Sequence, residues 1–599
     1  MAPPLLKPIL AAAALAFAGP VAPALAAPDS TQSQTDSVEA LITDYEAFLR
    51  ATDPVAEARG TGAGPTRWPD VTPQAVAQNA AAAETFMTRL SALDHDRMVD
   101  AAILDHILSR TVIQHKHDTA RIPFTGDSGF HSAATFAASR ANLLTLARAD
   151  AYVARLEDLP RYFEDNIANL QRGIETGWTA HGDPLSTMME QVNEQIVADP
   201  VESELYAPLT RLPTGIPDTD RIRLKREGRE AVADAITAYQ DLLTFLEDDY
   251  ARSSRLEPGL AGLRGGRVVY ADLADMHTAG AGLTPEQIHK IGQEEVARIR
   301  GEMLAILDEL AFEGSLQAFL TFLRTDDRFY ARTSDDLIEK AAEISKRLDA
   351  VVPQYFGRLP RLPYGVSPVP ASIAPGFTTG RYAQGDPETG RSGTYLVNTY
   401  RLDQRPLYEL PALTAHEAVP GHHLQIALAQ EMRGVPEYRR RYYATAFGEG
   451  WALYAEKIAG EAGIYRTPYE RFGQLSYEMW RACRLVADTG LHWYGWSREQ
   501  AEACFIENTA LAPLNIETEV TRYIGWPGQA LAYKIGELEI LKLREEARTV
   551  LGPRFDIRDF HDHLLAEGST PLSTLSARMR QWIEDQKAAF AEMEATPAP

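Results

Sequence analysis

Residues 412–426 read Ala-Leu-Thr-Ala-His416-Glu417-Ala-Val-Pro420-Gly421-His422-His423-Leu-Gln-Ile, an apolar helical pattern with a proline set between histidines. Proline lacks the N–H that would bond the carbonyl four residues back, here that of His416, and its ring collides with the same group. A straight helix through this segment is therefore ruled out. On an ideal helix His416 and His422 would point about 240° apart, and His416 and His423 would share a face but stand about 10 Å apart along the axis. Neither pair could hold one ion. A zinc helix of the H-E-x-x-H kind sets its imidazoles at i and i+4, and here that position is Pro420 itself. If Pro420 and Gly421 are extruded as a bulge, a later histidine returns to the face of His416. His422 is then the expected second ligand. His423 is the alternative, and otherwise faces substrate.

Three of the 14 histidines of the chain fall within these eight residues, beside a glutamate. Imidazole suits zinc, and Glu417 next to the first ligand is positioned to take a proton from bound water. One zinc ion is the expected cofactor. Two protein ligands are too few for a catalytic site, and the best third is Glu449 in Phe447-Gly-Glu449-Gly-Trp-Ala-Leu-Tyr-Ala-Glu456, where the flanking glycines allow close approach. Glu456, two turns on along the same face, is suited to orient a ligand histidine.

Other segments supply candidates for substrate and transition state. In Thr521-Arg522-Tyr523 through Pro527-Gly-Gln-Ala-Leu-Ala-Tyr533-Lys534, the phenols of Tyr523 and Tyr533 are potential oxyanion donors, and Arg522 or Lys534 could grip a substrate carboxylate. Arg484, Asp488 and His492 recur at i+4, so Asp488 is expected to fix the orientation of His492, leaving His492 to contact substrate or stabilise the transition state. The best strand in the chain, Ser392 to Tyr400 with Asn398 inside it, comes just before the metal segment, where an edge could hold an extended peptide by main-chain hydrogen bonds.

Taken together, His416-Glu-Ala-Val-Pro-Gly-His-His-Leu-Gln425, Glu449-Gly-Trp-Ala-Leu-Tyr-Ala-Glu456, Asp488-Thr-Gly-Leu-His492 and Arg522-Tyr523 through Lys534 resemble the bacterial family known as domain of unknown function 885, grouped with the gluzincin-type zinc metallopeptidases. The resemblance implies a mostly α fold, two-lobed, with zinc in a deep channel and a small β-element beside the zinc helix. It also implies His416, His422 and Glu449 on zinc, with Glu417 as base. The expected activity is hydrolysis of short peptides from the C-terminal side, as by a carboxypeptidase or dipeptidyl carboxypeptidase. The rival expectations are a zinc hydrolase of non-peptide amides or esters and a catalytically silent peptide-binding protein.

With 599 residues, 45% hydrophobic and 24% charged, the chain reads as ordered and globular. A formal charge of −24 argues against nucleic acid or an anionic membrane surface as partner. Lys7, an apolar run and Ala24-Leu25-Ala26 form the pattern of a secretory signal peptide over residues 1–26, so export to the periplasm is expected, with no membrane anchor in the mature chain. Residues 27–260 read as an N-terminal helical region and residues 261–599 as the catalytic one. Helical periodicity is clear over Tyr152–Arg172, Asp218–Asp249 and Thr284–Phe312; the last has Thr284 as N-cap, Pro285 at the first position and Gln287 to close a capping box. Cys483 and Cys504 are the only cysteines; they would be permitted to bridge outside the cytoplasm or to sit buried as thiols.

Overall fold

Periodic apolar spacing becomes helix nearly throughout. In α1 (Asp218–Phe245) the buried positions Leu224, Ala231, Val232, Ala235, Tyr239 and Leu242 recur at the intervals of one helix face. In α2 (Pro285–Glu309) Thr284 and Gln287 form the expected capping box, with reciprocal bonds of 2.8 and 3.3 Å. The computed structural model describes residues 37–94, 98–122, 129–371, 374–387 and 390–595. The expected signal peptide, residues 1–26, lies outside them. Among the described residues, no helix is long and apolar enough to cross a membrane.

Two hydrophobic clusters organise the chain. The smaller draws on residues between Trp68 and Tyr250. The larger joins the C-terminal helices to N-terminal residues such as Val38, Leu41, Ile103 and Leu108. The first helices thus pack with the C-terminal region, and residues of the helices of the 416–423 segment, such as Ala412, Ala415 and Leu424, are buried in that larger core.

Four helices build the surroundings of the site: α3 (Leu410–Glu417), α4 (His422–Gln430), α5 (Thr445–Glu461) and α6 (Pro468–Thr489). Two more brace them, α7 (Arg498–Asn508) and α8 (Ala532–Leu551). Helices α5 and α8 touch through glycine: a Cβ at Gly450 would come 2.5 Å from the Cα of Gly536, and one at Gly536 would come 1.8 Å from the carbonyl oxygen of Ala446. A disulfide joins Cys483 on α6 to Cys504 on α7, with Cα atoms 5.7 Å apart.

The β-element is a three-stranded sheet of β1 (Tyr364–Pro368), β2 (Gly380–Ala383) and β3 (Gly393–Val397), ordered β1-β3-β2. Strand β3 falls inside the segment expected from the sequence. It pairs parallel with β1 and antiparallel with β2, leaving β2 as an edge.

Candidate metal centre

Pro420 does more than bulge the helix. Helix α3 ends at Glu417 and α4 begins at His422, with a cis Val419–Pro420 peptide between them. The polar groups exposed by the break are met locally: Gly421 N–H donates to the Ala415 carbonyl (3.0 Å), His423 N–H to that of Ala418 (3.1 Å), and the indole of Trp451 on α5 to that of Pro420 (2.8 Å). Only glycine fits at 421, because a Cβ there would lie 2.0 Å from the His416 carbonyl oxygen. The break replaces the expected bulge and has the same effect, turning His422 back toward His416. Their rings lie 4.8 Å apart, nearly perpendicular.

Glu449 completes the group from α5. Its Oε2 lies 3.5 Å from His416 Nε2 and 3.4 Å from His422 Nε2, and the three potential ligand atoms all lie within 4.8 Å of one another. These separations are too long for good hydrogen bonds. They match the spacing of about 3.4 Å between ligand atoms that each stand about 2.0–2.1 Å from one tetrahedral ion. Glu456 Oε1 accepts from His416 Nδ1 at 2.8 Å, which fixes the tautomer and aims Nε2 at the shared point. Burial opposes a charge on His416, but Glu449 and Glu456 outweigh it and raise its pKa to about 10. Burial likewise opposes a charge on Glu449, and the two facing imidazoles hold it well below the usual carboxylate range. The donor set and its electrostatics fit a divalent cation such as zinc.

Glu417 is buried beside this group, and its Oε2 accepts the main-chain N–H of Tyr382 at 2.7 Å. In β2 the N–H of Tyr382 faces away from β3, so the strand edge is spent on orienting this carboxylate. Tyr443 was not foreseen from the sequence. It lies before α5, outside any periodic segment, with its hydroxyl against the Cα of Gly448. Burial, then the carboxylate of Glu449, Tyr533 and the carboxylate of Glu417, pushes its phenol pKa well above 10, yet the residue keeps 36% of its surface exposed. A neutral phenol thus stands near the donor group and the candidate base.

Several other expected site residues are engaged elsewhere. The Tyr523 hydroxyl accepts from Trp480 Nε1 (3.2 Å) and Arg484 Nε (3.0 Å) and donates to Glu519 (2.8 Å), so it has no capacity left for an oxyanion. His492 accepts from the Leu260 N–H at Nδ1 (3.1 Å) and turns Nε2 to the Tyr523 carbonyl (3.0 Å); burial lowers its pKa to about 3. Asp488 does not orient it. A π-helical turn over Gly490–Tyr494 shifts the phase of the i+4 series, and Asp488 instead accepts from the Tyr270 hydroxyl (2.6 Å) and the Gly528 N–H (3.0 Å).

Lys534 is fully buried among Glu295, Glu478 and Glu537 at 2.6–2.9 Å, leaving no ammonium for a substrate. The Asn398 amide donates to the carbonyls of Ala374, Phe377 and Thr378 and its oxygen accepts from the Tyr400 N–H, which fixes a turn after β3. His423 faces away from the donor group, with Nδ1 3.0 Å from the Tyr382 hydroxyl and its ring against Tyr364. Arg522 keeps 31% of its side chain exposed while bonding Gln529 at 2.7 Å, and one of its nitrogens lies 3.5 Å from the Tyr533 hydroxyl. The ring of Tyr533 lies under the Arg484 guanidinium, 4.2 Å away.

A helical protein with a small mixed sheet and a His-His-Glu group of two buried histidines and a half-buried glutamate is the class that fold and site define. Residues 55–579 match the family described as bacterial protein of unknown function (DUF885), and the chain belongs to that family. A crystal structure from Colwellia psychrerythraea, described as a "putative lipoprotein", is similar at 26% identity and a TM-score of 0.84, over 91% of this chain and 98% of the other. A second, from Shewanella oneidensis and described as a "putative lipoprotein of unknown function", shares the fold at 18% identity and a TM-score of 0.69, over 91% and 100% of the two chains. No curated protein matches the chain.

Proposed function

We propose that the chain is an exported zinc metallopeptidase that hydrolyses short peptides from the C-terminal side. The observation that carries this reading is the convergence of His416, His422 and Glu449, with the carboxylate at tetrahedral-edge spacing from both imidazoles and Glu417 next to the first of them in the chain. A zinc ion held by those three side chains supplies the Lewis acidity that acidifies a water and polarises a carbonyl. Glu417, held by the Tyr382 N–H, takes the proton of the attacking water and passes it to the leaving amine. A structural zinc would not require that carboxylate, which favours catalysis over silent binding.

Tyr443 takes the oxyanion role first expected of Tyr523. Its neutral hydroxyl donates to the carbonyl oxygen as charge develops there. Its combination of crowding and exposure also supports a deep channel leading to the site, as in a two-lobed peptidase. Arg522 is the better clamp for a free substrate carboxylate than Lys534, since it remains partly accessible and has, among the described residues, a single carboxylate, Glu519, at the longer distance of 3.6 Å. Export and a periplasmic location rest on the pattern of residues 1–26 and on the lipoprotein description of the two similar structures.

The test is digestion of a mixed peptide library by zinc-loaded wild type and by Glu417→Gln, read by mass spectrometry. Wild type should shorten peptides from their C-termini, chelation should stop it and zinc restore it. The substitution should reduce turnover by about 10²–10⁴-fold. Equal turnover in the variant removes Glu417 as base, and an inert zinc-loaded wild type overturns the peptidase reading.

A further inference from the structure

Arg405, just ahead of α3, is 7% exposed, with no carboxylate within 4.0 Å among the described residues. Its Nε and Nη1 are buried without hydrogen-bond partners. A buried guanidinium in that condition is costly unless something fills the gap. Arg405 lines a small cavity of about 10 Å³, shared with Thr379, Asn398, Glu409, Leu413 and Tyr477, room for one water-sized occupant.

The walls are rich in donors and positive potential. Helix α3 opens onto the cavity at Glu409 and Leu410 with no side-chain cap, which puts the positive end of its dipole there. The hydroxyl of Tyr408 and the Nε of Arg481 are also buried without partners. The acid in the wall is Glu409. Burial, against the pull of Arg481, Arg405 and Arg324, pushes its pKa up to about 8, which weakens it as a counter-ion to Arg405. Glu409 Oε1 is itself buried without a hydrogen-bond partner.

We propose that this cavity is a binding site for a single halide-sized anion, chloride or bromide, held by Arg405 at the uncapped start of the metal helix. Oxyanions such as sulfate exceed the space. The site is joined to the donor group in two ways. Leu413 of the cavity wall is on the helix that carries His416 and Glu417. Arg481, which acts on Glu409, also lies 3.7 Å from Glu456, the residue that orients His416. The proposal stands apart from the peptidase reading, and its test does not depend on turnover.

Full-length protein is exchanged into sodium gluconate and titrated with sodium chloride or bromide at constant ionic strength, with thermal melting as readout. Both halides should raise Tm saturably by several degrees, since a ligand bound to the folded state stabilises it by mass action. Sulfate should not, and Arg405→Gln should lose the response. Because that variant could fail to fold, wild-type crystals soaked in bromide give the second measurement: an anomalous peak in hydrogen-bond contact with Arg405 is expected. Absence of that peak at saturating bromide, or a peak only elsewhere, overturns the assignment whatever the melting curves show.

Discussion

At the scale of single residues, the division of labour around His416 rests on two carboxylates with different jobs. Glu449 shares a point in space with both imidazoles at 3.4–3.5 Å, whereas Glu456 takes the far nitrogen of His416 at 2.8 Å. On the proposed mechanism Tyr443 adds a neutral donor. Replacing it with Phe should leave zinc stoichiometry and KM nearly unchanged and lower kcat by about 10²–10³-fold, the usual effect of losing one oxyanion donor. Paired kinetics and metal analysis would check this, and an unaltered kcat would exclude the phenol from the chemistry. The convergence of His416, His422 and Glu449 was legible in the sequence because residue type and nearness sufficed: the three are close along the chain. Tyr523, His492 and Lys534 had equally suitable side chains. Residue type does not say which way a helix turns, and all three turn into polar networks of their own.

At the scale of elements, the decisive feature is the interruption between α3 and α4. The sequence announced a distortion through Pro420, and the location was right. Its form was not legible, because the partner that secures it, the Trp451 indole on the Pro420 carbonyl, comes from a helix packed by tertiary contacts. The sheet shows the same split: β3 was evident from its composition, while the use of the β2 edge to hold Glu417 depends on a pairing register no single strand encodes. Gly421 offers the sharpest test. A methyl group there must displace the His416 carbonyl, so Gly421→Ala should cost about 1–3 kcal/mol of stability and drop zinc content well below one ion per chain. Elemental analysis of folded variant with full zinc occupancy would refute that coupling.

Across the whole molecule, helices from both ends of the chain meet in one core, and buried carboxyls make its stability depend on pH. Asp488 has an ordinary value of 3.8, and burial raises it to about 7 despite the Tyr270 and Gly528 bonds. The folded state therefore holds this proton more tightly than the unfolded one. The associated stability is fully present below about pH 4 and is lost as pH rises through about 7. Asp488→Asn lacks this response, so the Tm advantage of wild type over the variant should shrink between about pH 5 and about pH 8, a swing of a few kcal/mol. Parallel melting curves over that range would show that Asp488 titrates normally. The mostly helical class and the capping of α2 followed from periodicity, but the joining of residues 38–108 to the C-terminal core did not, since contact between distant segments leaves no mark on either one alone.

The bond between Cys483 and Cys504 has a practical corollary for anyone producing this protein. Made in a reducing cytosol, the same polypeptide would lack the covalent tie between two helices that brace the donor group, and would differ in mass only by the two thiol hydrogens. Preparations from the two routes should be compared by intact mass before their behaviour is.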